Sequence, residues 1–338
     1  MRKTVLYGPR DIRFDERTEP VIVEPTDAII RLSATCVCGS DLWPYRGLND
    51  VKEPMEMGHE YCGIVEEVGS AVTSVRPGQF VVGSFCLSDN TCPHCKYGFQ
   101  SSCEKREFMT GAQAPLARVP LADGSLVATA EIPSEDLIPS LLAVSDVLGT
   151  GWFAADAARV RPGSTVVVVG DGAVGLMGVL SAKQMGAGRI IAMSRHKTRQ
   201  ALALEFGATD IVSERGEEGV TRIKQMTGGV GADSVLECVG MKESMFQALD
   251  CTRPGGSIGY VGVPHGVEFD GEALFFAQKN MLGGPAPVRR FLPDLMNLVL
   301  QRKINPGKVF DLELPLAEVA EGYRAMDERR AIKALLRP

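Results

Sequence analysis

Residues 165–175 constrain the fold most. Four β-branched residues, Val166-Val167-Val168-Val169, lead straight into Gly170-Asp171-Gly172-Ala173-Val174-Gly175. Such a run suits a parallel strand buried on both faces. The G-x-G-x-x-G pattern alone is weak, because a plain tight turn uses the same glycines. Here a helix is predicted over 172–185 and a second strand over 189–193, about 20 residues on. In that setting Gly170, Gly172, Ala173, Val174 and Gly175 form a loop whose backbone can approach a pyrophosphate, with a helix N-terminus facing the negative charge. Residues 165–182 carry one charge, Asp171, and their length approaches that of a membrane span. Gly170, Gly172, Gly175, Gly178 and the central aspartate fit a strand, turn and helix instead, and no membrane partner is expected.

The alternation continues through a helix containing 202–206, closed by Gly207, and strands at 210–212, 234–239 and 257–261. It predicts a doubly wound parallel sheet. Before it, roughly the first 145 residues hold short β-rich runs (28–32, 63–68, 79–83) broken by glycine and proline, which predicts a largely antiparallel domain with long loops. After Gly283-Gly284-Pro285 the pattern gives a helix at 290–300, a short strand near 309–311, a helix at 316–326 and a strand at 332–336. The chain has 338 residues, 45% hydrophobic and 23% charged, enough for two packed domains and inconsistent with wholesale disorder. Its 36 basic against 42 acidic residues leave a net charge of −6, so no positive field attracts nucleic acid or an anionic membrane.

The first ten residues lack the apolar stretch of a signal peptide. Seven of nine cysteines fall between Cys36 and Cys103, a distribution that suits metal binding or catalysis better than disulfides. A cytoplasmic, metal-binding protein is the expectation.

A site for NAD places an acid at the end of the second strand, accepting from the ribose 2′-hydroxyl. Here that strand runs into Ser194-Arg195-His196-Lys197-Thr198-Arg199, with no acid. A solvated basic turn is the plain alternative. In an acidic chain the cluster predicts a 2′-phosphate clamp, Ser194 donating a hydrogen bond and Arg195 and Arg199 supplying charge, with His196 between them. NADP(H) is the predicted cofactor.

Two further strings carry metal chemistry: Cys36-Val37-Cys38-Gly39-Ser40-Asp41 and Gly58-His59-Glu60-Tyr61-Cys62-Gly63. Taken singly, Cys38 reads as a small buried hydrophobe and His59 as a core histidine. Thiolate, imidazole and carboxylate together suit zinc, and three protein ligands with an open position make a catalytic site. Gly58-His59-Glu60-x-x-Gly63, with Gly69 and Val72 behind it, resembles the zinc signature of the zinc-containing alcohol dehydrogenases of the medium-chain dehydrogenase/reductase family.

The resemblance covers essentially the whole chain. It implies an α/β fold in two parts: residues 1–146 and 286–338 as a β-rich, GroES-like catalytic domain, and 147–285 as a doubly wound (Rossmann) cofactor domain. Cys38 and His59 match the first two zinc ligands, Glu60 the glutamate that enters the coordination shell, and Asp146 the third ligand, as in bacterial NADP-dependent members. Ser40 matches the hydroxyl that handles the substrate proton, and Asp41 the carboxylate that orients the histidine. Thr150, Gly240, Val261, Gly262, Val263 and Lys333 match cofactor contacts. Relatives often carry a histidine relay where this chain has Trp43. The proton path then runs through the cofactor ribose and water, or through a neighbour such as Tyr45, and Trp43 is as readily a cleft-lining residue.

The family also implies a lobe with four cysteines around a structural zinc. Cys92, Cys95 and Cys103 match three of them and Asp89 stands at the first. Asp89 is the expected fourth ligand, Cys86 or His94 the less favoured substitutes, and a metal-free lobe held by packing the alternative. The reading is a Zn2+-dependent oxidoreductase interconverting alcohols and aldehydes or ketones with NADP(H), acting on small molecules as a homodimer or homotetramer. A metal-independent reductase of the same superfamily and a non-catalytic NADPH-binding protein are the rivals.

Overall fold

The structure, a computed structural model, describes residues 1–49 and 54–338. The chain forms two compact units, Met1–Gly149 with Pro287–Pro338, and Thr150–Ala286.

In the first unit the main sheet runs Leu126–Ala128, Phe80–Gly83, Tyr61–Val68, Ala28–Cys36, Ala334–Arg337, Leu312–Pro315, with Leu116–Val119 also on Ala28–Cys36. All pairs are antiparallel except the last two C-terminal strands, which are parallel. Alternation drives the packing: Ala28, Ile30 and Leu32 join Val65, Val81 and Leu126 in the core, while Arg31 between them is exposed.

The central ladder brings distant loops to one place. Thr35 pairs with Tyr61, so the end of one strand lies beside the start of its neighbour. Cys38, two residues beyond the first strand, and His59, two residues before the second, are therefore brought to the same sheet end. Leu335 pairs with Cys36, which carries the chain's C-terminal segment to that end as well.

In the second unit six strands run parallel in the order Asp210–Val212, Arg189–Met193, Thr165–Val169, Ala232–Glu237, Thr252–Tyr260, Asn280–Gly283, the doubly wound order. Val166, Val167, Val168 and Val169 are all buried, each contributing about 2 kcal/mol of hydrophobic stabilisation. Val167 and Val169 pack with Ile191, Val235, Ile258, Ala248 and Ile223. The Lys197–Phe206 helix ends at Gly207, in the left-handed conformation with φ 113°, as its C-terminal glycine predicts. The suspect segment 165–182 is one strand and most of the Ala173–Gln184 helix. Among the described residues no single helix is long and apolar enough to cross a membrane.

The C-terminal segment departs from expectation. Residues 309–311 are not a strand: Pro306–Val309 is a 3-10 turn and the strand is Leu312–Pro315. Pro306 starts the turn, and Gly307 N–H donates to Ser140 Oγ at 3.1 Å, which holds it on a neighbouring helix.

Gly63 is the tightest point in the central ladder, since a Cβ there would overlap the Arg31 carbonyl oxygen. Gly63→Ala is expected to lower stability by about 3 kcal/mol, read as a shifted urea midpoint. Gly8→Ala, with open space around it, is expected to stay within about 0.5 kcal/mol of the parent. Equal midpoints for the two variants would contradict the close-approach account.

Candidate functional site

One donor group forms where the two central strands meet. Ligand atoms of Cys38, His59, Glu60 and Asp146 all lie within 4.8 Å of one another. Cys38 Sγ and His59 Nε2 stand 3.7 and 3.4 Å from Asp146 Oδ2. Asp146 reaches the group from the break between the Ile138–Val144 and Val147–Ala157 helices. The Glu60 Oε2 atom is buried and accepts no hydrogen bond among the described residues. Leaving such an acceptor unsatisfied is costly, and a cation would satisfy it. A thiol, an imidazole and two carboxylates, converged and largely buried, fit zinc.

Asp41 orients the histidine. Its Oδ1 lies 3.4 Å from His59 Nδ1, so Nδ1 carries the proton and the Nε2 lone pair faces the other donors. Its Oδ2 accepts from Cys38 N at 2.9 Å and from Gln113 Nε2 at 3.3 Å. Gln113 also donates to Cys36 O and accepts from the Tyr323 hydroxyl at 3.2 Å. Burial works against protonated His59, yet the Asp41 charge and its neighbours raise the imidazole's pKa well above the usual value. Ser40 is exposed, with Oγ 3.5 Å from His59 Nε2.

Lys333, expected against a cofactor, lies inside this unit. Its Nζ donates to Glu60 Oε1 at 2.6 Å and to Val37 O at 3.1 Å, and the Lys333 and Glu60 side chains are 1% and 0% exposed. Trp43 is half-buried. Tyr45 is buried with its ring 5.3 Å from that of Tyr323.

A second group consists of Asp89, Cys92, Cys95 and Cys103, again within 4.8 Å. Cys92 Sγ lies 3.5 Å from Cys95 Sγ and 3.9 Å from Cys103 Sγ, and Asp89 Oδ1 lies 3.4 Å from Cys103 Sγ. Burial opposes ionised Asp89, but N–H groups of Thr91 and Cys92 hold its carboxyl down to about 2. Cys86 sits in the Cys86–Leu87 strand and His94 points to solvent, both outside the group. The three thiols are themselves the local core cluster. Small lobes with so little apolar core are a kind that a bound metal stabilises.

The glycine loop fits a dinucleotide pyrophosphate. Gly170 has φ 115°, Gly172 precedes the Ala173–Gln184 helix with nothing near its missing side chain, and a Cβ on Gly175 would overlap the Gly170 carbonyl. Opposite the loop Gly240, with φ 84°, approaches Val263 backbone so closely that a Cβ would overlap it. Glu237, which no sequence motif singles out, holds this turn: its Oε1 accepts from Val239 N, Gly240 N and Ser244 Oγ, while its backbone oxygen accepts from Val261 N and Gly262 N. Thr150 is buried and Val263 exposed.

At the end of the Arg189–Met193 strand Arg195 is exposed, His196 occupies the N-cap position of the Lys197–Phe206 helix without a side-chain capping bond, and Ser194 is buried. Ser194 Oγ donates to Asp171 Oδ2 at 2.7 Å, and Arg199 Nη1 lies 3.4 Å from Asp171 Oδ1. Asp171 stands at a variable position of the glycine motif, so its role has no signal in the pattern. Gln113 has none either.

The fold and donor groups define a metal-dependent oxidoreductase with a dinucleotide cofactor, and comparisons agree. Residues 24–141 match the alcohol dehydrogenase GroES-like domain and 173–300 the zinc-binding dehydrogenase family. The chain is 32% identical to zinc-type alcohol dehydrogenase B of Aspergillus flavus, covering 100% of this chain and 81% of that protein. A probable zinc-binding alcohol dehydrogenase of Mycobacterium tuberculosis is 34% identical, over 100% and 89%. The solved alcohol dehydrogenase TADH from Thermus sp. ATN1 superposes with a TM-score of 0.90 at 31% identity, covering 100% of this chain and 99% of that one. The chain belongs to the zinc-containing medium-chain alcohol dehydrogenases.

Glu237→Ala leaves two turn N–H groups without their acceptor. It is expected to cost about 2 kcal/mol and to speed amide exchange at Gly240 in a deuterium-exchange measurement. Unchanged protection there would show that the carboxylate does not hold the turn.

Proposed function

We propose that this alcohol dehydrogenase interconverts small alcohols with aldehydes or ketones using NADP(H), with Cys38, His59 and Asp146 holding a catalytic Zn2+ and Glu60 as an exchangeable further donor. The convergence of these four side chains within 4.8 Å carries the reading. It favours this reading over a metal-independent reductase, and turnover distinguishes it from a non-catalytic NADPH-binding protein. When bound, zinc supplies a Lewis acid toward the substrate oxygen and the nicotinamide supplies or accepts the hydride.

The chain's own residues do the rest. Asp41, fixed by Gln113, holds the His59 ring with Nε2 toward the donor group. Ser40, exposed beside His59, exchanges the proton of the substrate hydroxyl. Lys333 balances Glu60 in a dry environment, so the carboxylate stays in place whether or not it ligates. Gly170, Gly172 and Gly175 receive the pyrophosphate, and the turn of Gly240, Val261, Gly262 and Val263 borders the rest of the cofactor. The missing acid after the Arg189–Met193 strand, and the exposed Arg195 and Lys197 in its place, favour the phosphorylated dinucleotide.

In this reading Asp89, Cys92, Cys95 and Cys103 hold a second, structural zinc. The exposed edge strand Asn280–Gly283 with Leu282 supports a homo-oligomer, and cysteines grouped with metal-binding partners support a reducing, cytoplasmic setting. The test is an NADPH-oxidation screen over ketones and aldehydes, with zinc counted on the same sample. Asp146→Ala is expected to abolish reduction and lose one zinc while binding NADPH as the parent does. Retained activity in that variant would remove Asp146 from the ligand set.

A further inference from the structure

The end of the Arg189–Met193 strand lacks an acid in sequence, yet a carboxylate is present there in space. It comes from Asp171, inside the glycine loop after the neighbouring Thr165–Val169 strand. We propose that Asp171 is a specificity-determining residue that competes with a 2′-phosphate for Ser194 and Arg199, limiting the preference for NADP(H) and keeping NAD(H) usable. This rests on the cofactor reading above and deepens it.

Three observations carry the inference. A serine hydroxyl has one proton to donate, and Ser194 already gives it to Asp171 Oδ2 at 2.7 Å. Ser194 is only 2% exposed, so a phosphate oxygen gains that proton only when the carboxylate gives it up. Arg199 Nη1 lies 3.4 Å from Asp171 Oδ1 and from its backbone oxygen, and both side chains are largely buried. Charge neutralised there is little screened by salt, and a phosphate brought to Arg199 also meets the negative Asp171.

The same carboxylate is an acceptor, which is what an unphosphorylated ribose 2′-hydroxyl requires. Arg195 is exposed and lies outside this pair. It is left to contact the phosphate. One loop acid therefore opposes the basic turn beside it, and the balance between them sets the ratio of cofactor affinities.

Titration calorimetry of the zinc-loaded protein with NADPH and with NADH tests this without reliance on turnover. Asp171→Asn keeps the shape and removes the charge; Asp171→Ala is the second variant, in case the first fails to fold, and far-UV circular dichroism checks both. The NADPH:NADH affinity ratio is expected to rise about tenfold, the size of one charge-assisted contact, with NADPH tightened and NADH weakened. An unchanged or lower ratio in folded variants overturns the proposal. Arg195→Ala separates it from the underlying reading. If that change weakens NADPH binding while the Asp171 variants keep the parent ratio, the competition fails and the NADP(H) reading stands. NADPH affinity untouched by Arg195→Ala overturns the cofactor reading and the competition with it.

Discussion

Thr35 faces Tyr61 across an antiparallel ladder, and this register is what places Cys38 beside His59. Neither loop has regular structure of its own to fix it. Each is short, anchored at a strand end, and tied across the gap by Thr35 Oγ1 donating to Glu60 O at 2.8 Å. A slip of one residue would turn every side chain of the strand to the other face and separate the donors. The buried alternation of Ala28, Ile30 and Leu32 against Val65 and Val81 resists that slip, so the hydrophobic core enforces the geometry of the polar site.

The polar groups at the sheet end impose a second constraint. Glu60 is fully buried, and an uncompensated buried charge costs several kcal/mol. Its partner Lys333 immediately precedes the Ala334–Arg337 strand, whose pairing with Cys36 delivers it. The return of the chain to the first unit thus supplies a counter-charge as well as a strand. Tyr323, from the Val319–Asp327 helix, reaches Asp41 through Gln113. The C-terminal segment therefore supports two of the three carboxylates around His59, those of Asp41 and Glu60.

Features encoded locally are legible in the sequence. The valine run, the glycine loop and Gly207 each specify their conformation within a few residues, and the parallel sheet follows from their repetition. The motif around His59 is legible as a converging donor group, and so is the Asp89 lobe, whose candidate donors lie within fifteen residues of one another. Partners fixed by tertiary register are not. Lys333 matches a cofactor position of the family, and its pairing with Glu60 depends on strand pairing that no local pattern shows. Asp171 occupies a variable position of a glycine motif, and its contact with Ser194 requires the two parallel strands to be in place. The Gly216–Met226 helix, outside the elements expected from the sequence, sets Val220, Ile223 and Met226 against the core, a helical spacing that its sequence does carry.

A register-determined group with one sulfur and a compact lobe with three are the two proposed zinc sites. Zinc-edge X-ray absorption of the protein as isolated reads this directly, because zinc–sulfur and zinc–nitrogen or oxygen distances differ by about 0.3 Å. With Cys38 in one group and Cys92, Cys95 and Cys103 in the other, two zincs per chain share four sulfurs. The expected average is two sulfurs and two lighter donors per zinc. A sulfur number near four, or near three with a single zinc per chain, would contradict the Cys38–His59–Asp146 centre.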